Sequence, residues 1–158
     1  MAKEEFTLFY GGVFSQWLYA PFVIDGVAYN CAEQYMMAQK ARLFKDKAML
    51  EAIMGAKDPS AQKAFGKKVK GFKKPVWEAV ARDVVMRGSL AKFTSTSRLR
   101  DLLLDTEGTV LVEASPTDVI WGIGLAEHDP AALDREQWQG SNWLGQVLTD
   151  LREHLLKA

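Results

Sequence analysis

Along residues 33–44 the apolar side chains Met36, Met37 and Phe44 recur at the spacing of a helix face, and two ionisable residues of opposite sign fall among them. With Glu33 set to zero and roughly 100° per residue, Met37 lies near about 40°, Lys40 near about 340°, Phe44 near about 20° and Met36 near about 300°. Leu43 flanks this set, whereas Gln34, Gln39 and Arg42 point elsewhere. Glu33 and Lys40 are about 10.5 Å apart along the axis, too far for the ion pair at a spacing of three or four that helix surfaces use. Burying either charge costs several kcal/mol unless something compensates. The face therefore either lines a polar cavity or carries two buried structural ion pairs, because buried networks perturb ionisation as active sites do.

The rest of the chain alternates short strands with helices. Thr7 to Tyr10 reads as a strand ending at Gly11-Gly12, and residues 21–30 read as a hairpin around Asp25-Gly26. Asn30 is placed to cap the helix that runs to Phe44. Lys47 to Gly55 and Pro59 to Phe65 give two further short helices, and Pro75 suits the first turn of a longer one. On that helix Val76, Trp77, Val80, Val84 and Ala91 share a side, together with Arg87. Arg98 to Leu104 is helical, with Leu99, Leu102 and Leu103 inward. Residues 109–115 form the clearest strand, and a last helix capped near Ser141 or Asn142 buries Leu144, Leu148, Leu151 and Leu155. No repeat or linker interrupts the pattern, so the expected fold is a single α+β domain over 1–158, mostly helical, with a small β-sheet packed by helices.

Composition narrows the function classes. Lys plus Arg and Asp plus Glu number 20 each, so no global field draws the chain to a polyanion or an anionic membrane. Lys67-Lys68, Lys70 and Lys73-Lys74, interleaved with Phe65 and Phe72, form a basic cluster that is read as a solvated surface rather than a nucleic-acid patch. The single cysteine, Cys31, excludes an internal disulfide and fits a reducing compartment. The N-terminus lacks the long apolar core of a signal peptide, and no segment reaches the length of a membrane span, which makes the cytoplasm the expected location. His128-Asp129 has no second ligand pair at useful spacing, so no metal is expected. Trp121-Gly122-Ile123-Gly124 lacks the strand-turn-helix setting of a phosphate loop and reads as a tight turn. Asp118 lies in a loop between a strand and Trp121, and Trp77 and Trp121 offer flat apolar surfaces. With Glu33 and Lys40 they supply carboxylates, an amine and an aromatic clamp, a set suited to a small polar ligand with a flat heterocycle.

Several separated motifs then agree. Phe14-Ser15-Gln16-Trp17, Glu33-Gln34 with Met37 and Lys40-Ala41, Trp77, Lys92-Phe93, Leu111-Val112-Glu113-Ala114-Ser115-Pro116 with Asp118 and Trp121-Gly122, and Gly140-Ser141-Asn142-Trp143-Leu144-Gly145 with Arg152 occur in order over nearly the whole chain. Together they resemble the NADAR superfamily, whose bacterial members include the YbiA-like N-glycosidases. Gln16 departs from the pattern, because the family often has Asn after Phe-Ser.

The resemblance implies cleavage of an N-glycosidic bond in phosphoribosylated intermediates of riboflavin biosynthesis. The alternative within that reaction class is release of ADP-ribose from modified guanine in DNA, in which case nucleic acid enters only as an ADP-ribosylated substrate; neutral net charge counts against a polymer substrate. A non-catalytic NAD or ADP-ribose binding module is the reading from another class. Carried over residue by residue, the resemblance implies Glu33, Lys40 and Asp118 as catalytic groups and Trp77, Trp121, Asn142, Phe14 and Ser15 as substrate contacts, with no cofactor and no membrane partner. Lys40 is expected to act as a nucleophile that forms an imine with the opened ribose, Glu33 to move protons, and Asp118 to orient water or ribose hydroxyls. Direct hydrolysis assisted only by carboxylates is the other route. Arg87, Lys92 and Arg152 are the cations available for a phosphate.

Overall fold

In the computed structural model, which describes residues 3–158, the elements run β1 (Phe6–Phe9), β2 (Phe22–Ile24), β3 (Val27–Tyr29), α1 (Ala32–Leu43), α2 (Lys47–Gly55), α3 (Pro59–Gly66), α4 (Lys74–Thr94), α5 (Ser97–Leu104), β4 (Val110–Glu113) and α6 (Trp143–Lys157). Short 3-10 turns occupy Gly12–Phe14, Pro130–Leu133 and Arg135–Gln137. This is the helix-rich α+β chain that the periodicity predicts. Its strands, however, form two separate two-stranded sheets, parallel β1-β4 and antiparallel β2-β3. By internal contacts the chain gathers into two units, Gln16–Ser95 and the remainder, Thr96–Ala158 with the residues up to Ser15.

In Gln16–Ser95, α1 is the central element, and α2, α3 and α4 all pack on it. The β2-β3 hairpin turns on Asp25 and Gly26 at positive φ, 51° and 78°, as a two-residue turn between twisted strands requires. Helix α1 is not amphipathic in the predicted sense, because every residue from Ala32 to Ala38 is buried. Gln34, expected to point away, is interior: its Nε2 donates to Ile53 O at 3.1 Å and its Oε1 accepts the Asn30 N–H at 2.8 Å. Asn30 does not cap the helix. Cys31 occupies that position, while the Asn30 amide donates to Lys57 O and accepts from Gln62 Nε2, both at 3.0 Å. A helix surrounded by three others has no solvent side at its start, so amides replace the polar face and are satisfied internally.

Helix α4 also turns further than predicted. Its buried residues are Trp77, Ala81, Val84, Val85, Gly88, Ser89, Lys92 and Phe93, while Val76 and Arg87 are exposed. Small residues mark the contact: a Cβ at Gly88 would lie 2.8 Å from Cδ2 of Tyr35, so the close approach of α4 to α1 needs glycine there.

In the other unit β1 and β4 pair from Phe6↔Val110 to Phe9↔Glu113, and Val112, Ala114, Ile123, Leu125 and Ala132 form the core beside them. Helix α6 packs on β4 and hydrogen-bonds to its backbone with side chains. Thr149 Oγ1 accepts the Leu111 N–H at 3.0 Å, Asn142 Oδ1 accepts the Glu113 N–H at 3.0 Å, and Asn142 Nδ2 donates to Leu111 O at 3.0 Å. These bonds occupy a strand edge that would otherwise offer unpaired backbone groups. Asn142 is fully buried, takes φ 53° and makes no side-chain cap to α6. Asn142→Ala removes two buried partners of β4 at once, and is expected to lower the unfolding free energy by about 2 to 3 kcal/mol, read from the urea midpoint at unchanged slope.

Candidate functional site

The start of α1 is set by Gln16. Its carbonyl accepts the Glu33 N–H at 3.0 Å, and its amide Nε2 reaches Met36 Sδ at 3.5 Å. The residue that departs from the family pattern is thus buried against the helix that carries Glu33 and Lys40, where the longer amide has a packing partner. Glu33 is 4% exposed and lies in the first turn of α1, where the helix dipole favours a carboxylate.

Two turns later Lys40 is half-buried, with its Nζ 4.5 Å from the centre of the Phe72 ring. Burial holds the Lys40 amine below the usual lysine range. The Glu33 carboxylate opposes that shift and the Lys67 ammonium adds to it. The two charges that interrupted the predicted stripe are therefore within each other's field on one helix. An amine that loses its proton readily is a nucleophile, and a carboxylate within its field can carry protons.

Sequence reasoning placed Lys92 among phosphate-binding cations, but the structure buries it to 1% exposure on α4. Its Nζ lies 4.8 Å from the centre of the Phe93 ring, and burial pushes its pKa down to about 7, with the Cys31 thiol opposing. A side chain at that depth does not present an ammonium to a solvated phosphate. Cys31 itself donates through Sγ to Gln62 Oε1 at 3.1 Å, and burial pushes its thiol up, the reverse of an activated thiolate. Arg152 is likewise consumed internally. It is buried, and its guanidinium donates to Thr106 O at 2.8 Å, Thr109 O at 2.6 Å and Glu153 Oε1 at 2.8 Å.

Of the residues expected at the site, Glu33, Lys40 and Trp77 lie in Gln16–Ser95, where Trp77 is 9% exposed on α4. Phe14, Ser15, Asp118, Trp121 and Asn142 belong to the other unit. There the Asp118 carboxylate accepts the Ile120 and Trp121 N–H groups through Oδ1 at 2.9 and 2.8 Å, which fixes the loop and presents half-buried Trp121 edge-on to Trp143 at 5.6 Å. Phe14 packs on Phe9 with ring centres 5.6 Å apart, and the Ser15 N–H donates to Gly12 O at 3.1 Å.

A helix-rich α+β protein with a buried carboxylate and an amine of lowered pKa on one central helix is the class defined by these observations. The model of the NADAR domain matches residues 8–156, and the chain belongs to the NADAR family. It is 43% identical over 129 residues to protein irg-1 of Caenorhabditis elegans, covering 80% of this chain and 61% of that protein. It is 36% identical over 166 residues to an N-glycosidase of Acanthamoeba polyphaga mimivirus, covering 97% and 98% of the two chains. A match of 36% identity over 112 residues to the chloroplastic riboflavin biosynthesis protein PYRR of Zea mays covers 68% of this chain and 16% of that one. Among solved structures, the NMR structure of the Escherichia coli protein YbiA superposes with a TM-score of 0.80 at 30% identity, covering 99% of this chain and 88% of that one. No helix among the described residues is long and apolar enough to cross a membrane.

Proposed function

We propose that this chain is an N-glycosidase that hydrolyses the bond between ribose and nitrogen in phosphoribosylated intermediates of riboflavin biosynthesis. The observation that carries the reading is the Glu33 and Lys40 pair, a buried carboxylate and a half-buried amine of lowered pKa coupled along α1. The relatives named N-glycosidase support the reaction class, and the maize riboflavin protein supports the substrate.

In the reaction the neutral Lys40 amine attacks the anomeric carbon of the ribose. The Nζ–C1′ bond forms as the bond from C1′ to the base nitrogen breaks, and Glu33 delivers a proton to the departing nitrogen. Opening of the C1′–O4′ bond leaves a protonated imine between Lys40 and the sugar. Water adds to that imine, the C–N bond breaks, and the sugar aldehyde and the free amine are regenerated. One water is consumed, and the products are the free base and ribose 5-phosphate.

Glu33→Gln keeps the shape of the side chain and removes the proton carrier. It is expected to lower kcat by about 10²- to 10⁴-fold, the range of a general acid or base. The assay follows base and sugar release by mass spectrometry, for wild type and variant, on the early phosphoribosylated riboflavin intermediates and on ADP-ribosylated guanosine. Release from the former that depends on Glu33 supports the proposal. Cleavage confined to the guanosine adduct moves the protein to nucleic-acid repair, and binding without cleavage of either leaves a binding module.

A further inference from the structure

The approach of α3 to α1 places a second cation beside Lys40. A Cβ at Gly66, the last residue of α3, would fall 2.0 Å from Met37 Sδ, so the end of α3 lies directly against α1 at the turn before Lys40, and a larger residue there would displace the Met37 side chain. Lys67 follows at once, exposed, and its ammonium is near enough to depress the ionisation of the Lys40 amine. The two like charges repel, and the helix contact at Gly66 and Met37 holds the backbone that brings Lys67 into the field of Lys40.

The surrounding charges do not neutralise it. Segment 57–74 carries Lys57, Lys63, Lys67, Lys68, Lys70, Lys73 and Lys74, all exposed, against one carboxylate, Asp58. That carboxylate is engaged by the Ser60 N–H and hydroxyl, both at 2.8 Å. Asp46, from the turn between α1 and α2, accepts the Lys70 N–H at 2.8 Å and the Met49 N–H at 3.1 Å. In a chain of zero net charge, a cationic excess is thus gathered on the segment that contains Lys67. Phosphate carries the opposite charge and accepts hydrogen bonds from ammonium groups.

We propose that Lys67 receives the 5′-phosphate of the substrate, with the anomeric carbon of the same ribose at Lys40. The inference rests on the N-glycosidase reading of Glu33 and Lys40 and names the recognition element of that site. C1′ and the 5′-phosphate stand at opposite ends of a ribose 5-phosphate unit, so one cation recognises while the other amine reacts.

The test compares kcat/KM on a phosphoribosylated substrate and on its dephosphorylated ribosyl counterpart, for wild type, Lys67→Gln, Lys67→Arg and Lys73→Gln. Lys67→Gln is expected to lose about tenfold of the preference for the phosphorylated substrate, through KM. Removing the ammonium also raises the Lys40 pKa, but that displaces the pH profile equally for both substrates. Lys67→Arg should retain most of the preference, and Lys73→Gln should change it by less than about twofold. Equal loss on both substrates, no change in Lys67→Gln, or an equal effect of Lys73→Gln would overturn the assignment. If wild type cleaves neither substrate, the N-glycosidase reading fails by itself. Calorimetric titration with ribose 5-phosphate then decides: a tenfold weaker affinity in Lys67→Gln sustains the phosphate site, and equal affinity or no binding to wild type removes it.

Discussion

Lys40→Ala should reduce turnover by about 10³-fold or more while leaving the fold and much of the substrate affinity in place. The argument begins with the ionisation of the side chain. A lysine in water is almost wholly protonated at neutral pH and has no lone pair to offer, but the Lys40 amine is held below that range by burial, helped by Lys67 and opposed by Glu33. Its reactive fraction is therefore raised without its being fully hidden, and the Phe72 ring at 4.5 Å gives the ammonium form a contact as well. The rate on the phosphoribosylated substrate should rise with pH through a midpoint below the usual lysine value, as the neutral amine accumulates. Lys40→Arg separates charge from nucleophilicity, because guanidinium retains the cation and does not deprotonate; it should be as inactive as the alanine variant. Borohydride added during turnover should leave a reduced sugar on Lys40, located by peptide mass mapping. An active enzyme that yields no adduct would assign the reaction to direct, carboxylate-assisted hydrolysis, and an adduct on Lys92 would transfer the nucleophile to α4.

Spacing was enough to set Glu33 and Lys40 among the apolar residues of one helix, because a helix of known pitch leaves few ways to place residues seven apart, but it left structural ion pairs open, and the family resemblance carried the reading of a site. The hairpin was legible for a similar reason, since Asp25-Gly26 meets a backbone requirement set within two residues. What spacing could not supply was the orientation of α4. Counting large apolar residues puts Val76, Trp77, Val80, Val84 and Ala91 on one face; Trp77 and Val84 are buried, but Val76 is exposed and the contact with α1 is made through Gly88, where Tyr35 closes in. Small residues transmit no hydrophobic signal, and their role emerges only with the partner helix in place. The same rotation takes Arg87 to the surface and Lys92 into the interior. Asn142 was hidden in another way: its αL conformation and its bonds to Leu111 and Glu113 depend on a strand about thirty residues earlier. Asn at a helix start looks like a cap whichever role it plays.

The interior position of Lys92 should also make stability depend on pH in a direction opposite to that of an ordinary surface lysine pair. In the unfolded chain its amine titrates near the usual 10.5, and in the folded protein burial lowers that to about 7. Between these values the unfolded state binds the extra proton, so the unfolding free energy rises with pH. From pH 7 to 8.5 the gain is roughly 1.5 to 2 kcal/mol, given about 1.4 kcal/mol per unit once the folded amine is neutral. Below pH 7 both states are protonated and the cost of burying the charge is carried in full. Lys40, also lowered, contributes in the same direction, while Cys31, whose thiol is raised, opposes it as the unfolded thiol begins to ionise near pH 9. Lys92→Met keeps the volume and the apolar stem and removes the titration, so the comparison cancels the other groups. Urea unfolding of both proteins at fixed salt should show wild type gaining on Lys92→Met by that amount across the interval, with circular dichroism establishing that the variant is folded. Parallel stabilities would mean that Lys92 titrates alike in the folded and unfolded chains, and that the interior of α4 holds an ammonium ion at neutral pH.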